Sequence, residues 1–284
     1  MDDSRTASND GLNTRNPILA REAAQYARFN APPVSAQELQ DMYDAPSAPA
    51  ALDRVGERLT IHDVVVKTAG MFSVLVVGAV VSWNLVTSAP WLVWGALILG
   101  FVLGMVNAVK REVSPPLMML YAAVEGVFLG GLSWLYNENW GSGAGNANIV
   151  GQAVIGTLVA FGVMLALYAS GRLRATPRFT KMLLIAMVSY LVIAMASLVS
   201  ALFGVGQGWG FYGVSGLGLL LCVVGVGLAA FSLVLDFDAI QRMIAGGAPE
   251  RESWRMAFGL VVTLVWLYLE LLRLLAILQG GGRR

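Results

Sequence analysis

One element recurs along this chain: an apolar run of about 20 residues, long enough as a helix to cross a hydrocarbon core of about 30 Å. Such runs fall at about 64–87, 90–109, 116–136, 149–169, 182–203, 212–235 and 256–278. A segment surrounded by lipid must satisfy its own backbone N–H and C=O groups, so each run is read as a helix. The runs are too long and too evenly apolar for barrel strands, which alternate residue by residue. Seven spans is the preferred count, and six follows if the first two or the last are read differently. The expected fold class is an all-α membrane protein, a seven-transmembrane-helix bundle over residues 61–280.

Composition agrees. Hydrophobic residues make up 57% of the chain and charged residues 13%, about half the charge of a soluble domain. A mean hydropathy of +0.66 excludes an ordinary soluble enzyme, a nucleic-acid binder and a wholly disordered chain. The net charge of +1 supplies no field to recruit polyanions. A single histidine, His62, and a single cysteine, Cys222, leave no His-rich metal site and no internal disulfide. Zinc chemistry and Ser-His-Asp catalysis lose their raw material, so no catalytic residue and no enzyme activity are expected.

Residues 1–60 differ from the rest. They hold Pro17, Pro32, Pro33, Pro46 and Pro49 among scattered Ser, Asn and Ala, and up to Asp63 ten acids stand against six arginines. Such a segment cannot bury enough apolar surface to fold, and reads as a disordered polar arm. A short helix is expected within it, where Ser35 and Glu38 have capping-box spacing and Leu39, Met42 and Tyr43 follow at helical intervals.

Loop charge sets the expected orientation. The 110–115 connection holds Lys110 and Arg111, the 170–181 connection Arg172, Arg174, Arg178 and Lys181, and the 239–255 connection Arg242, Arg251 and Arg255. The alternate connections, 88–89, 137–148 and 204–211, hold no Lys or Arg. The basic loops and the N-terminal arm are therefore expected in the cytoplasm. Seven spans then put Arg283 and Arg284 outside, a mild disagreement outweighed by nine basic residues in three loops. Trp83, Trp91, Trp94, Trp134, Trp140 and Trp209 fall near the outer span ends, as an interfacial belt requires.

Ionisable groups inside spans cost about 2.5–3.5 kcal/mol each on insertion scales, so they mark function by default. Four acids qualify, Glu125, Asp236, Asp238 and Glu270, with Arg273 as the one base well inside a span. Asp236 and Asp238 point about 200° apart on a helix and cannot jointly face one ion; both could simply end the sixth span as interfacial carboxylates. Glu270 and Arg273 share a face at i, i+3, which suits a self-neutralising ion pair as well as a functional one. Glu125, alone near the middle of the third span, is either protonated or hydrogen-bonded to a neighbouring helix.

Two stretches carry a family signature. Phe231-Ser-Leu-Val-Leu-Asp-Phe-Asp238 followed by Leu267-Tyr-Leu-Glu270-Leu-Leu-Arg-Leu-Leu275 resembles the last two helices of the Bax inhibitor-1 family, the transmembrane Bax-inhibitor-motif proteins. The entry to the first span, Thr60-Ile-His-Asp63-Val-Val-Val-Lys67-Thr68, is similar to a bacterial branch. The resemblance covers residues 60–278. It implies seven helices with the last one central, and a pH-sensitive Ca²⁺ leak sensed by two facing carboxylates, which match Asp238 and Glu270. It also implies an arginine after the second helix coupled to that pair, for which Lys110 and Arg111 are nearest. Glutamate replaces aspartate in the seventh helix, and Arg273 stands where the family has an uncharged residue.

From this resemblance follows an expected mechanism. Two carboxyls close together in low dielectric share a proton as a neutral latch between helices six and seven. Its loss adds repulsion and exposes hard oxygen ligands suited to Ca²⁺, with Asp238 and Glu270 as the ion-contacting groups. Arg273, Asp236, Glu125, Arg111 and Lys110 form a second tier. The expected partners are the bilayer and Ca²⁺, with no organic cofactor and no nucleic acid. Sixteen arginines against three lysines suggest a GC-rich bacterial source and an inner-membrane location. Two other readings stand beside the leak channel: a regulator that binds a membrane protease or another membrane complex, and a proton-coupled transporter.

Overall fold

The computed structural model describes residues 58–140, 148–208, 210–213 and 215–280. The expected arm and its short helix lie outside these residues. Among those described, seven helices are long and apolar enough to cross a membrane. They are α1 (Ile61–Leu85), α2 (Trp91–Val109), α3 (Pro115–Trp140), α4 (Ile149–Ala169), α5 (Pro177–Leu202), α6 (Ser215–Ala245) and α7 (Ser253–Gly280). No β-strand occurs among the described residues.

Local chemistry explains where the helices begin. Thr60 and Asp63 form a reciprocal capping box: the Thr60 hydroxyl accepts from the Asp63 N–H at 3.3 Å, and the Asp63 carboxylate accepts from the Thr60 N–H at 2.9 Å. Two otherwise unpaired amides are satisfied, so α1 starts three residues before its apolar run. Thr176 caps α5 by accepting from the Phe179 N–H, with Pro177 in the first turn. That proline fits because the first turn needs no N–H from it. Arg178 and Lys181 therefore lie on α5 itself rather than in the preceding connection.

The largest departure from the expected spans is α6, which runs ten residues past 235 to Ala245. Phe237 and Ile240 beyond the uniform apolar run are both buried, so one face of the helix still has a core to pack against. Asp236 and Asp238 consequently sit within a helix rather than at its end.

The last helix is the axis of the bundle. It packs against α1, α3, α4 and α6, and Ala257, Val261, Leu267 and Leu272 along it are fully buried. Helices α1 and α3 approach closely because α3 presents Gly126 and Gly130. A Cβ built on either glycine would lie 2.1 Å from a backbone carbonyl of α1, Leu75 and Ala79 respectively. Only glycine admits that separation.

One end of the bundle gathers the basic connections. There the α6–α7 connection is fastened to α1 and to the α2–α3 connection. Lys67 of α1 pairs with Glu250 and donates to Ser253 Oγ at 2.6 Å, and the Leu59 N–H donates to the Ala248 carbonyl at 2.9 Å. Arg251 donates to the Val113 carbonyl at 2.8 Å, and Arg255 to that of Arg111 at 2.6 Å.

Candidate functional site

The charged groups inside the bundle fall into two sets at different depths. The first lies toward the basic end. Asp236 is nine residues from the end of α6 and Thr263 ten residues from the start of α7, so at 1.5 Å per residue both are about 15 Å in. These antiparallel helices bring the Asp236 carboxylate and the Thr263 hydroxyl to face each other. Asp236 lies over Gly259, one turn before Thr263, where a Cβ would meet its Oδ1 at 3.9 Å. Its Oδ2 is buried and, among the described residues, receives no hydrogen bond.

Glu125 of α3 is ten residues from the start of its helix, again about 15 Å from the same end. It faces α2 at Gly100, where a Cβ would lie 2.8 Å from Glu125 Oε2. The absence of a side chain at Gly100 is what gives the carboxylate room.

The second set surrounds Glu270. This residue is 3% exposed. Its Oε1 accepts from the Tyr190 hydroxyl of α5 at 2.8 Å and from Trp266 Nε1 at 3.2 Å. Tyr190 in turn accepts from the Tyr212 hydroxyl at 2.8 Å. Arg273 Nη1 is 3.6 Å from Glu270 Oε2, its guanidinium stacks 4.2 Å over the Tyr212 ring, and it hydrogen-bonds to Tyr136 of α3. Tyr212 belongs to the short 3-10 turn Gly210–Gly213 between α5 and α6, which folds back because the Phe211 N–H donates to Ser197 Oγ at 3.0 Å.

The pair expected between Asp238 and Glu270 is not formed. Glu270 faces Gly225 of α6, where a Cβ would lie 2.7 Å from its carboxyl carbon. Asp238 is thirteen residues further along that helix, about 20 Å. It pairs instead with Arg242 on its own helix at 2.9 Å. The reason is register: Asp238 is seven residues from the end of α6, whereas Glu270 is seventeen from the start of α7. The two cannot jointly ligate one ion, and among the described residues no three His, Cys, Asp or Glu converge on a metal-sized site. Arg111 is joined to α7 through its backbone carbonyl, and neither it nor Lys110 pairs with Asp238 or Glu270.

Thr263 is the residue that sequence reasoning missed. A threonine in an apolar run is common, because its hydroxyl can bond back into its own helix. Its depth matches that of Asp236 only because α6 continues to Ala245, which hydropathy did not signal.

Seven apolar helices, the last of them central, with acids held inside the spans, define a multi-pass membrane protein. Residues 15–280 match the family described as Bax inhibitor 1 like, and the chain belongs to that family. No curated protein matches it.

Proposed function

We propose that the protein is a pH-responsive, Ca²⁺-permeable leak of the bacterial inner membrane, with its N-terminal arm and basic loops in the cytoplasm. The observation that carries this reading is Asp236: a carboxylate in a helix–helix contact that faces the Thr263 hydroxyl and has one buried oxygen with no hydrogen-bond partner among the described residues. As a neutral acid it can stay in that contact. Ionised, it is a charge with a single donor in low dielectric, a state that costs several kcal/mol unless water or a cation arrives. Ionisation therefore favours separation of α6 from α7 and entry of a hard cation onto carboxylate oxygen. The leak rises with pH and shuts on acidification.

Thr263 positions Asp236 in the closed state, and Glu125 at the same depth is the second cation-contacting acid. Asp238, at the basic mouth, attracts cations with its charge partly offset by Arg242. Glu270 is held by Tyr190, Trp266 and Arg273 and braces the opposite half of the bundle. The reading is tested by reconstituting the protein in liposomes loaded with a Ca²⁺ dye. A pH-dependent flux that Asp236→Asn abolishes supports it. Absence of flux, together with an arm-dependent pull-down of a membrane protease, would favour the regulatory reading instead.

A further inference from the structure

Between α5 and α7 lies a cavity of about 700 Å³, within the size range of small-ligand sites. Its walls are mainly apolar, with Leu184, Val188, Leu191 and Leu198 on α5 and Leu269 on α7. It follows α5 from Leu184 to Ala201, seventeen residues or about 25 Å. One leaflet contributes only about 15 Å of a 30 Å hydrocarbon core, so the cavity has room for an acyl chain and the polar end that follows it.

The polar end is away from the basic loops, where Arg273 and Tyr212 line the same cavity. Arg273 is 31% exposed in its side chain, whereas its counter-ion Glu270, which lines the same cavity, is only 3% exposed. Their 3.6 Å separation is too long for a hydrogen bond, so guanidinium donors beyond the one engaged with Tyr136 are left for a ligand. A guanidinium fork matches two oxygens of a phosphate. At this end the connecting segments 86–90, 137–148 and 203–214 contain no Lys or Arg. Arg283 and Arg284 follow α7 at this end, but Arg273 is the cation that lines the cavity.

We propose that this cavity binds one phospholipid, its acyl chain along α5 and its phosphodiester on Arg273. The site is ten residues of α7 beyond Thr263, about 15 Å, and does not depend on the leak reading.

Native mass spectrometry of the delipidated full chain tests it, with phosphatidylglycerol as probe and diacylglycerol, which lacks the phosphate, as comparison. The expected result is one phosphatidylglycerol retained at an activation energy that strips other adducts, with diacylglycerol lost. Ala194→Phe, which fills the cavity and leaves Arg273 intact, lowers retention. Glu270→Gln/Arg273→Gln, which removes both charges together, lowers it by about tenfold, as for loss of one charge-assisted contact. Should the double variant fail to fold, Ala194→Phe and the diacylglycerol comparison still decide. Equal retention of diacylglycerol, or retention unchanged by Ala194→Phe, overturns the proposal.

Discussion

Asp236 on α6 faces Thr263 on α7, and one oxygen of its carboxylate is buried without a donor among the described residues. The closed contact thus joins one acid and one hydroxyl, not two acids. In a like-charge pair, repulsion would separate the helices. In the gate proposed above, the driving force is instead the unmet solvation of a single carboxylate.

Thr263→Val removes the hydroxyl that faces Asp236 and leaves the buried carboxylate without that polar neighbour. An unsatisfied buried polar group costs about 1–3 kcal/mol, so the variant should unfold earlier in detergent, while Thr263→Ser retains most of the stability. Equal melting of Val and Ser variants would remove Thr263 from the account.

The α1–α3 contact should be intolerant of a single methyl group. Gly126→Ala and Gly130→Ala each drive a Cβ against a backbone carbonyl at 2.1 Å, an overpacking worth about 1–3 kcal/mol or more. Gly95→Ala on α2, which meets nothing within 4 Å, is the control and should be neutral or slightly stabilising. Thermal unfolding followed by size-exclusion chromatography reads all three.

Lys67 and Glu250 should be energetically coupled. Lys67 is largely buried, also approaches Trp254, and holds the α6–α7 connection onto α1. Lys67→Met and Glu250→Gln, alone and together, should depart from additivity by about 0.5–3 kcal/mol in a double-mutant cycle. Additive effects would show that the Leu59 backbone bond and the Arg251 side-chain bond suffice to hold the connection.

Asp238→Asn should change stability by no more than about 0.5 kcal/mol, because its partner Arg242 is exposed and one turn away on the same helix. A loss of several kcal/mol in chemical denaturation would mean that Asp238 has a partner beyond Arg242.

The seven helices were legible in the sequence, because lipid imposes both run length and internal hydrogen bonding, whereas the central place of the last one was implied only by the family resemblance. Caps moved the boundaries: Thr60 and Thr176 start α1 and α5 earlier than hydropathy alone suggests. The acids were also legible one by one, since each interrupts an apolar run. Their partners were not. Pairing across helices depends on register, and register depended on α6 continuing through Phe237 and Ile240 to Ala245. Matching motif to motif joined Asp238 to Glu270, whereas depth joins Asp236 to Thr263 and Glu270 to Tyr190. Thr263 and Tyr190 carry no charge to draw the eye.

The most direct test of the central claim is Ca²⁺ flux into dye-loaded liposomes across a pH series, comparing wild type with Asp236→Asn and Asp238→Asn. Wild-type flux should rise as pH rises, Asp238→Asn should keep that profile, and Asp236→Asn, fixed in a neutral state, should stay low throughout. A pH response that survives in Asp236→Asn and disappears in Asp238→Asn would contradict the account.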